Sequence, residues 1–321
     1  MIYAPVGIPT LCRVEHLKRL INSLKKNSWA KYTELYIGID YPPDERCEKG
    51  YLQICEYLDR GIDGFLKVNT FFHKENLGSY ENGKFLKRKM KEKYDRYIMT
   101  EDDNIFSPNF LEYMDKMLDY YESDSEIIAI GGHNPLFETN ISKDALLKVN
   151  MLYDGWGEGC WVRKTEEMDH KIDIQYLENI LKRISKSIYL RRKNRNLFYE
   201  LVNAIAFRKG AMFGKNEKLY NIDQVLSIYM IDTKKYMICP VYSKVRNTGD
   251  DGTGEHGGND NKWGKQEIDN GDSFDISANM TIIDERKIKR QLRKKFYWDW
   301  YMNLESIFVW VIWNICKLVK K

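Results

Sequence analysis

The sequence predicts an α/β protein with a parallel, doubly wound sheet, and three observations carry that prediction. Short apolar runs alternate with amphipathic helical runs over the first hundred residues. Turn signals separate the runs, and two of the apolar runs end on carboxylates. Strand–helix alternation of this kind builds parallel sheets with right-handed crossovers.

Residues 2–8 are short and apolar, which reads as a first strand. Residues 15–26 then repeat Leu17, Leu20, Ile21 and Leu24 at helical spacing. The run ELYIGID at 34–40 is a buried strand ending on Asp40, followed by a Pro-Pro turn. Residues 50–60 read as a helix, 65–73 as a third strand, 81–93 as a basic helix, and 96–100 as a fourth strand. A helix over 110–121 and a strand over 127–131 follow, with His133-Asn134 just past the strand end, where a turn role is the simpler reading. Residues 182–196 are strongly basic with a helical pattern, and 249–264 form a Gly/Asp-rich loop.

Composition narrows the function. Hydrophobic residues make up 43% of 321, enough for a real core, and eight Trp with 22 Tyr exceed ordinary packing needs, which points to an aromatic-lined cleft. Across 286–321 ten Lys/Arg face two acidic residues, so this segment carries +8 of a chain whose net charge is +4. The remainder is therefore mildly acidic, which argues against a nucleic-acid-coating protein and for a tail that meets an anionic surface. Six scattered cysteines without a CxxC pair exclude a zinc ribbon and suit free thiols in a reducing compartment. The opening residues lack a charged-then-apolar leader, so the expectation is a cytoplasmic protein without a signal peptide.

Glu101-Asp102-Asp103 directly follows the fourth strand. Carboxylates crowded at a strand end repel one another unless a cation neutralises them. Mg²⁺ and Mn²⁺ take oxygen ligands and share them with substrate phosphates. A metal there can stabilise a diphosphate leaving group, whereas a plain N-terminal helix cap is the competing reading.

The run YIMTEDDNIFSPNFLEYM at 97–114 resembles the metal-binding stretch of GT-A glycosyltransferases, in the branch of N-acetylglucosaminyltransferase I and the family-2-like bacterial polysaccharide enzymes. The resemblance implies a GT-A, Rossmann-like fold: a mixed, mainly parallel sheet flanked by helices, with a basic, aromatic helical extension at the C-terminus. It also implies Mn²⁺ or Mg²⁺ and a nucleotide-sugar donor, a UDP-sugar above all. By resemblance, Asp103 is the direct metal ligand, while Glu101 and Asp102 hold the ribose and donor sugar. The segment from Pro5, with Arg13, resembles the part that cradles the base. Asp40 matches its base-contacting acid, and Asn76-Leu77-Gly78 the Asn-x-Gly turn. The stretch Asp154-Gly-Trp156-Gly-Glu158-Gly-Cys-Trp161 is similar to the acceptor segment, and Asn221-Ile-Asp223 to a second acidic motif. The base therefore stays open among Asp154, Asp223 and Glu158, with Trp156 and Trp161 as candidates for stacking on the acceptor or for core packing. The run 245–256 is similar to a donor-closing loop whose His256 contacts the metal or diphosphate.

The expected layout is a catalytic domain over 1–285, with a nucleotide-sugar half at 1–104 and an acceptor half at 105–285, then a tail over 286–321. Residues 306–319 are mostly apolar, yet fourteen helical residues cover only about 21 Å, short of a bilayer core of about 30 Å. An in-plane helix on the inner face of the cell membrane fits the Trp and Lys/Arg content, with docking on the catalytic body or a homodimer partner as the other readings. The sequence thus predicts an inverting sugar transfer to a glycan or lipid-linked saccharide of a surface polysaccharide. A retaining enzyme, a sugar-nucleotidyltransferase and an inactive membrane-associated scaffold are the alternatives.

Overall fold

The computed structural model describes residues 2–135, 145–207, 222–252, 263–276, 281–284 and 300–319. In chain order the elements are β1 (Val6–Thr10), α1 (Val14–Lys25), β2 (Glu34–Ile39), α2 (Glu45–Asp59), β3 (Lys67–Phe72), α3 (Gly78–Lys91), β4 (Arg96–Met99), β5 (Asn104–Phe106), α4 (Phe110–Tyr120) and β6 (Ile127–Gly131). They continue with β7 (Leu146–Val149), β8 (Glu158–Trp161), α5 (Val162–Asp169), α6 (Ile174–Lys182), α7 (Ile184–Lys193), α8 (Arg195–Phe207), α9 (Ile222–Thr233), β9 (Tyr236–Pro240), β10 (Val245–Asn247), β11 (Ile282–Asp284) and α10 (Trp300–Val319).

Nine strands form one mixed sheet in the order β11-β7-β9-β6-β8-β4-β1-β2-β3, and β5 pairs with β10 apart from it. β1, β2, β3 and β4 run parallel, as the helices that intervene between them require. β8 is antiparallel to both β4 and β6, which makes the sheet mixed. The chain runs outward through β1, β2 and β3, then returns through α3 to place β4 on the other side of β1. That reversal creates a crevice beyond the carboxyl ends of β1 and β4, where open α/β sheets bind ligands.

The chain divides into two compact units, one comprising Met1–Leu147, Asp154–Lys164 and Ile238–Ile282, the other Lys148–Tyr153, Thr165–Met237 and Ile283–Lys321. In the first unit α1 buries Val14, Leu17, Leu20, Ile21 and Leu24 on one face, as its spacing predicts. α2 begins five residues before the expected start because the Asp44 side chain caps it, accepting the Arg46 amide at 3.0 Å. Arg96 is buried at the start of β4 and ion-pairs with Asp119, with Asp95 at 3.2 Å and with Glu122 at 3.3 Å. In the second unit α10 packs on α8, and Tyr176 and Lys186 both bond the Asp232 carboxylate, at 2.9 and 2.7 Å.

Asp115 on α4 accepts the Ala4 amide at 2.8 Å, and burial pushes its carboxyl up to about 7. A proton is thus bound more tightly in the folded chain than in the unfolded one. The stability this group confers is complete below about pH 4 and is lost as pH rises through about 7. Asp115→Asn, which keeps the acceptor and removes the charge, is expected to stabilise the fold at pH 8 by about 1–4 kcal/mol and to flatten the pH dependence between 4 and 7. Denaturant titration across pH checks it.

Candidate active site

β1 and β4 meet at the crevice, and their ends bring four chemically active side chains together. Asp102 and Asp103 follow β4 and are only 5% and 7% exposed. Arg13, at the start of α1, sends one guanidinium nitrogen to both, ion-pairing with Asp102 and with Asp103 at 2.9 Å. Thr10, the last residue of β1, donates its hydroxyl to the other Asp102 oxygen at 2.8 Å. The resemblance placed Arg13 beside the nucleotide base; here its guanidinium is the counter-ion of the acidic pair, which two buried carboxylates demand.

The strand β10 covers the pair from the other side. Asn247 donates to Asp103 Oδ1 at 2.7 Å, and the Thr248 amide and hydroxyl donate to the Asp103 carbonyl at 2.9 and 2.8 Å. Gly249 is required here because a Cβ would overlap Asp103 Oδ2. Further along the same loop Asp251 Oδ2 lies 3.1 Å from Nε2 of His16 on α1. Burial raises the Asp102 pKa, Arg13 pulls it back and Asp103 raises it again, with a net upward direction.

Two carboxylates sharing one guanidinium leave the cluster one negative charge in excess. Among the described residues no three His, Cys, Asp or Glu side chains converge as a metal cage. Mg²⁺ and Mn²⁺ are commonly held by one or two carboxylates plus substrate phosphates, so the donor set fits a divalent ion that arrives with a diphosphate. Glu101 is exposed, and His256 lies outside the described residues.

Asp40 stands at the end of β2, where the sequence placed it, but its carboxylate serves a turn. One oxygen accepts the Tyr41 and Leu77 amides at 2.9 and 2.8 Å; the other accepts the Gly78 amide at 2.8 Å and the Asn76 side chain at 3.3 Å. Gly78 has φ +78°, a left-handed conformation that suits glycine and lets α3 start there. All four acceptor positions of Asp40 are filled, so a base N–H could bond it only by displacing a protein donor. Pro5 lies just before β1, its carbonyl accepting the Ile98 amide at 2.8 Å.

A second cluster forms at the end of β6. His133, 1% exposed, has Nδ1 2.7 Å from Asp154 Oδ2 and Nε2 2.7 Å from Gln266 Oε1. Gln266 donates its own amide to the Asn134 carbonyl at 3.0 Å, which fixes which end faces the ring. The other Asp154 oxygen accepts the Trp156 amide at 3.1 Å, and the Trp156 ring lies 4.7 Å from the His133 ring. His133 is thus a partner of Asp154, not merely part of a turn. Gln266 carries no sequence signal at all. β10 connects the two clusters: the Lys244 amide bonds the Gly132 carbonyl at 2.7 Å, and three residues on, about 10 Å along a strand, Asn247 holds Asp103.

Glu158 opens β8 opposite Met99 and Gly131, is buried, and lies 3.3 Å from the Lys87 ammonium. Burial pushes Lys87 down, but Glu158, with Tyr97 and Cys160, more than offsets this and the Lys87 pKa is raised. Trp161 needs correction as an acceptor residue. Antiparallel β8 sets it opposite Arg96 at the far end of β4 from Asp102, and it is a core residue whose indole donates to the Leu118 carbonyl at 3.2 Å. Asp223 belongs to the second unit, in the first turn of α9, where its carbonyl accepts the Ser227 hydroxyl at 2.7 Å.

No family model and no curated protein matches the chain. Among solved structures it is similar to S. aureus TarS 1-349 in complex with UDP-GlcNAc, at 17% identity over 43% of this chain and 37% of that chain, with a TM-score of 0.31. It is also similar to the mannosyltransferase PcManGT from Pyrobaculum calidifontis in complex with GDP-Man and Mn2+, at 11% identity over 71% and 69% of the two chains and TM-score 0.40. Mouse xyloside xylosyltransferase 1 is similar at 8% identity over 73% and 83%, also with TM-score 0.40.

His133→Leu removes the ring nitrogens that bond Asp154 and Gln266 and is expected to cost about 2–4 kcal/mol of unfolding free energy in urea titrations. His133→Asn, which keeps a polar side chain able to bond one of them, is expected to recover part of that loss.

Proposed function

We propose that the chain is a metal-dependent glycosyltransferase of the GT-A type. It moves a sugar from a UDP-sugar to a hydroxyl of a glycan or lipid-linked saccharide in surface polysaccharide assembly, with inversion at the anomeric carbon. The observation that carries the reading is the pair of buried carboxylates, Asp102 and Asp103, in the crevice between β1 and β4, gripped by Arg13, Thr10 and Asn247. A cluster one charge short of neutrality suits a cation shared with a diphosphate. Breaking the sugar–phosphate bond adds negative charge to that diphosphate.

In this reading Asp103, with Asp102 beside it and His256 from the following loop, would hold Mn²⁺ or Mg²⁺, which supplies charge stabilisation to the leaving diphosphate. Arg13 bridges the two carboxylates and favours the charged form of Asp102, and its own charge adds to the field felt by the nucleotide. Asp154 takes the proton from the acceptor hydroxyl, oriented by His133 on one oxygen and by the Trp156 amide on the other. Trp156 offers a ring face to a sugar. Glu158, committed to Lys87, is the weaker candidate for the base.

Incubation with a panel of nucleotide sugars tests the proposal. Mn²⁺-dependent release of UDP from one UDP-sugar is expected, abolished by EDTA. Asp103→Asn is expected to lower kcat/KM on the order of 10²- to 10³-fold. Asp154→Asn is expected to lower kcat about 10²- to 10⁴-fold while leaving nucleotide affinity unchanged. Release of pyrophosphate from a nucleoside triphosphate and a sugar phosphate, without consumption of any nucleotide sugar, would make it a nucleotidyltransferase instead.

A further inference from the structure

The second unit carries a surface for which sugar transfer gives no reason. α10 lies on its neighbours by one face: the Trp310 indole donates to the Leu181 carbonyl at 2.9 Å, its ring meets Phe198 edge to face at 5.9 Å, and Ser306 is buried. On the other face Leu304, Phe308, Val311, Ile312 and Ile315 are exposed, Phe308 at 66%. Their spacing puts them on one helical stripe. Five large apolar side chains on one exposed stripe are more than a water-facing helix ordinarily presents.

The same Leu181 carbonyl brings α10 to the junction of α6 and α7, where Lys182, Arg183 and Ile184 are exposed. α7 continues the pattern with exposed Ile188, Tyr189 and Arg192. Residues 182–195 hold seven Lys/Arg and no Asp/Glu. Glu178 and Asp232 pair with Lys182 and Lys186. Arg191 is different: its Nε is buried without a hydrogen-bond partner, and burial and the nearby Arg195 both push its pKa down. The segment 286–321 adds a further +8 in sequence.

We propose that this face of the second unit docks on an anionic lipid bilayer, with α10 lying in the interfacial plane and the basic side chains of α7 against headgroup phosphates. Apolar and basic residues coincide on it, which is the pattern of helices that lie in the interface. Charge disfavours a second copy of the chain as the occupant, since two such faces would set seven Lys/Arg against seven. No described helix is long and apolar enough to cross a membrane, so α10 lies on the bilayer and does not span it. This inference stands independently of the sugar-transfer reading.

Co-sedimentation of the full chain with vesicles tests it. Binding to phosphatidylcholine vesicles containing phosphatidylglycerol is expected, with little binding to pure phosphatidylcholine and loss at high salt. Phe308→Ser with Ile312→Ser, and separately Arg183→Gln with Arg192→Gln, are each expected to weaken partitioning on the order of ten-fold, with melting temperature unchanged. Equal binding to neutral vesicles, or full retention by both variant pairs, would overturn the proposal. So would a light-scattering dimer that the Phe308/Ile312 pair converts to a monomer without any effect on vesicle binding.

Discussion

Two carboxylates buried side by side cannot both stay ionised without a counter-charge, and Asp102 and Asp103 are in that position. Most of the architecture around them answers this demand. The return of the chain through α3 puts β4 next to β1, which brings Arg13 and Thr10 to Asp102. β10 pairs with β5 in the register that sets Asn247 opposite Asn104, so its amide reaches Asp103. Thr248 and Gly249 then close over the same residue. Arg13, Thr10 and Asn247 supply a positive charge and two donors to the carboxylates, and among the described residues that is one full cation for two acidic groups.

The rest of the first unit fixes that cluster in place and ties it to a second one. Asp40 spends its oxygens on the turn that starts α3, the helix whose crossover positions β4. At its other end β10 is anchored to Gly132, beside His133 and Asp154. A short rigid strand therefore spans the distance between a candidate leaving-group site and a candidate proton acceptor. Such spacing matters because a reacting hydroxyl and a diphosphate must be held together in one geometry.

The first half of the fold was legible because β1, β2 and β4 are buried along nearly their whole length and the intervening helices are amphipathic. The run 127–131 was bounded as the structure has it, and the acidic triplet falls just past β4 as expected. The short strands were not legible. β5, β10 and β11 have three residues each and exist through partners far away in sequence, a signal that periodicity lacks. No strand is expected in the Gly-rich run after Asp154, yet residues 158–161 form a central antiparallel strand. That single reversal separates Glu158, near the crevice, from Trp161 at the other end of the sheet. In the same way the sequence shows Arg13, Asp40 and His133 as polar residues at strand ends without showing which partner each one takes.

The account turns on whether the acidic pair is one positive charge short until a diphosphate arrives. Mn²⁺ binding followed by electron paramagnetic resonance, with and without UDP, measures this directly. The account predicts weak binding by the protein alone, tightened at least about ten-fold by UDP, with both lost in Asp103→Ala. Equal Mn²⁺ affinity with and without UDP, or UDP-dependent binding that survives Asp103→Ala, would contradict it.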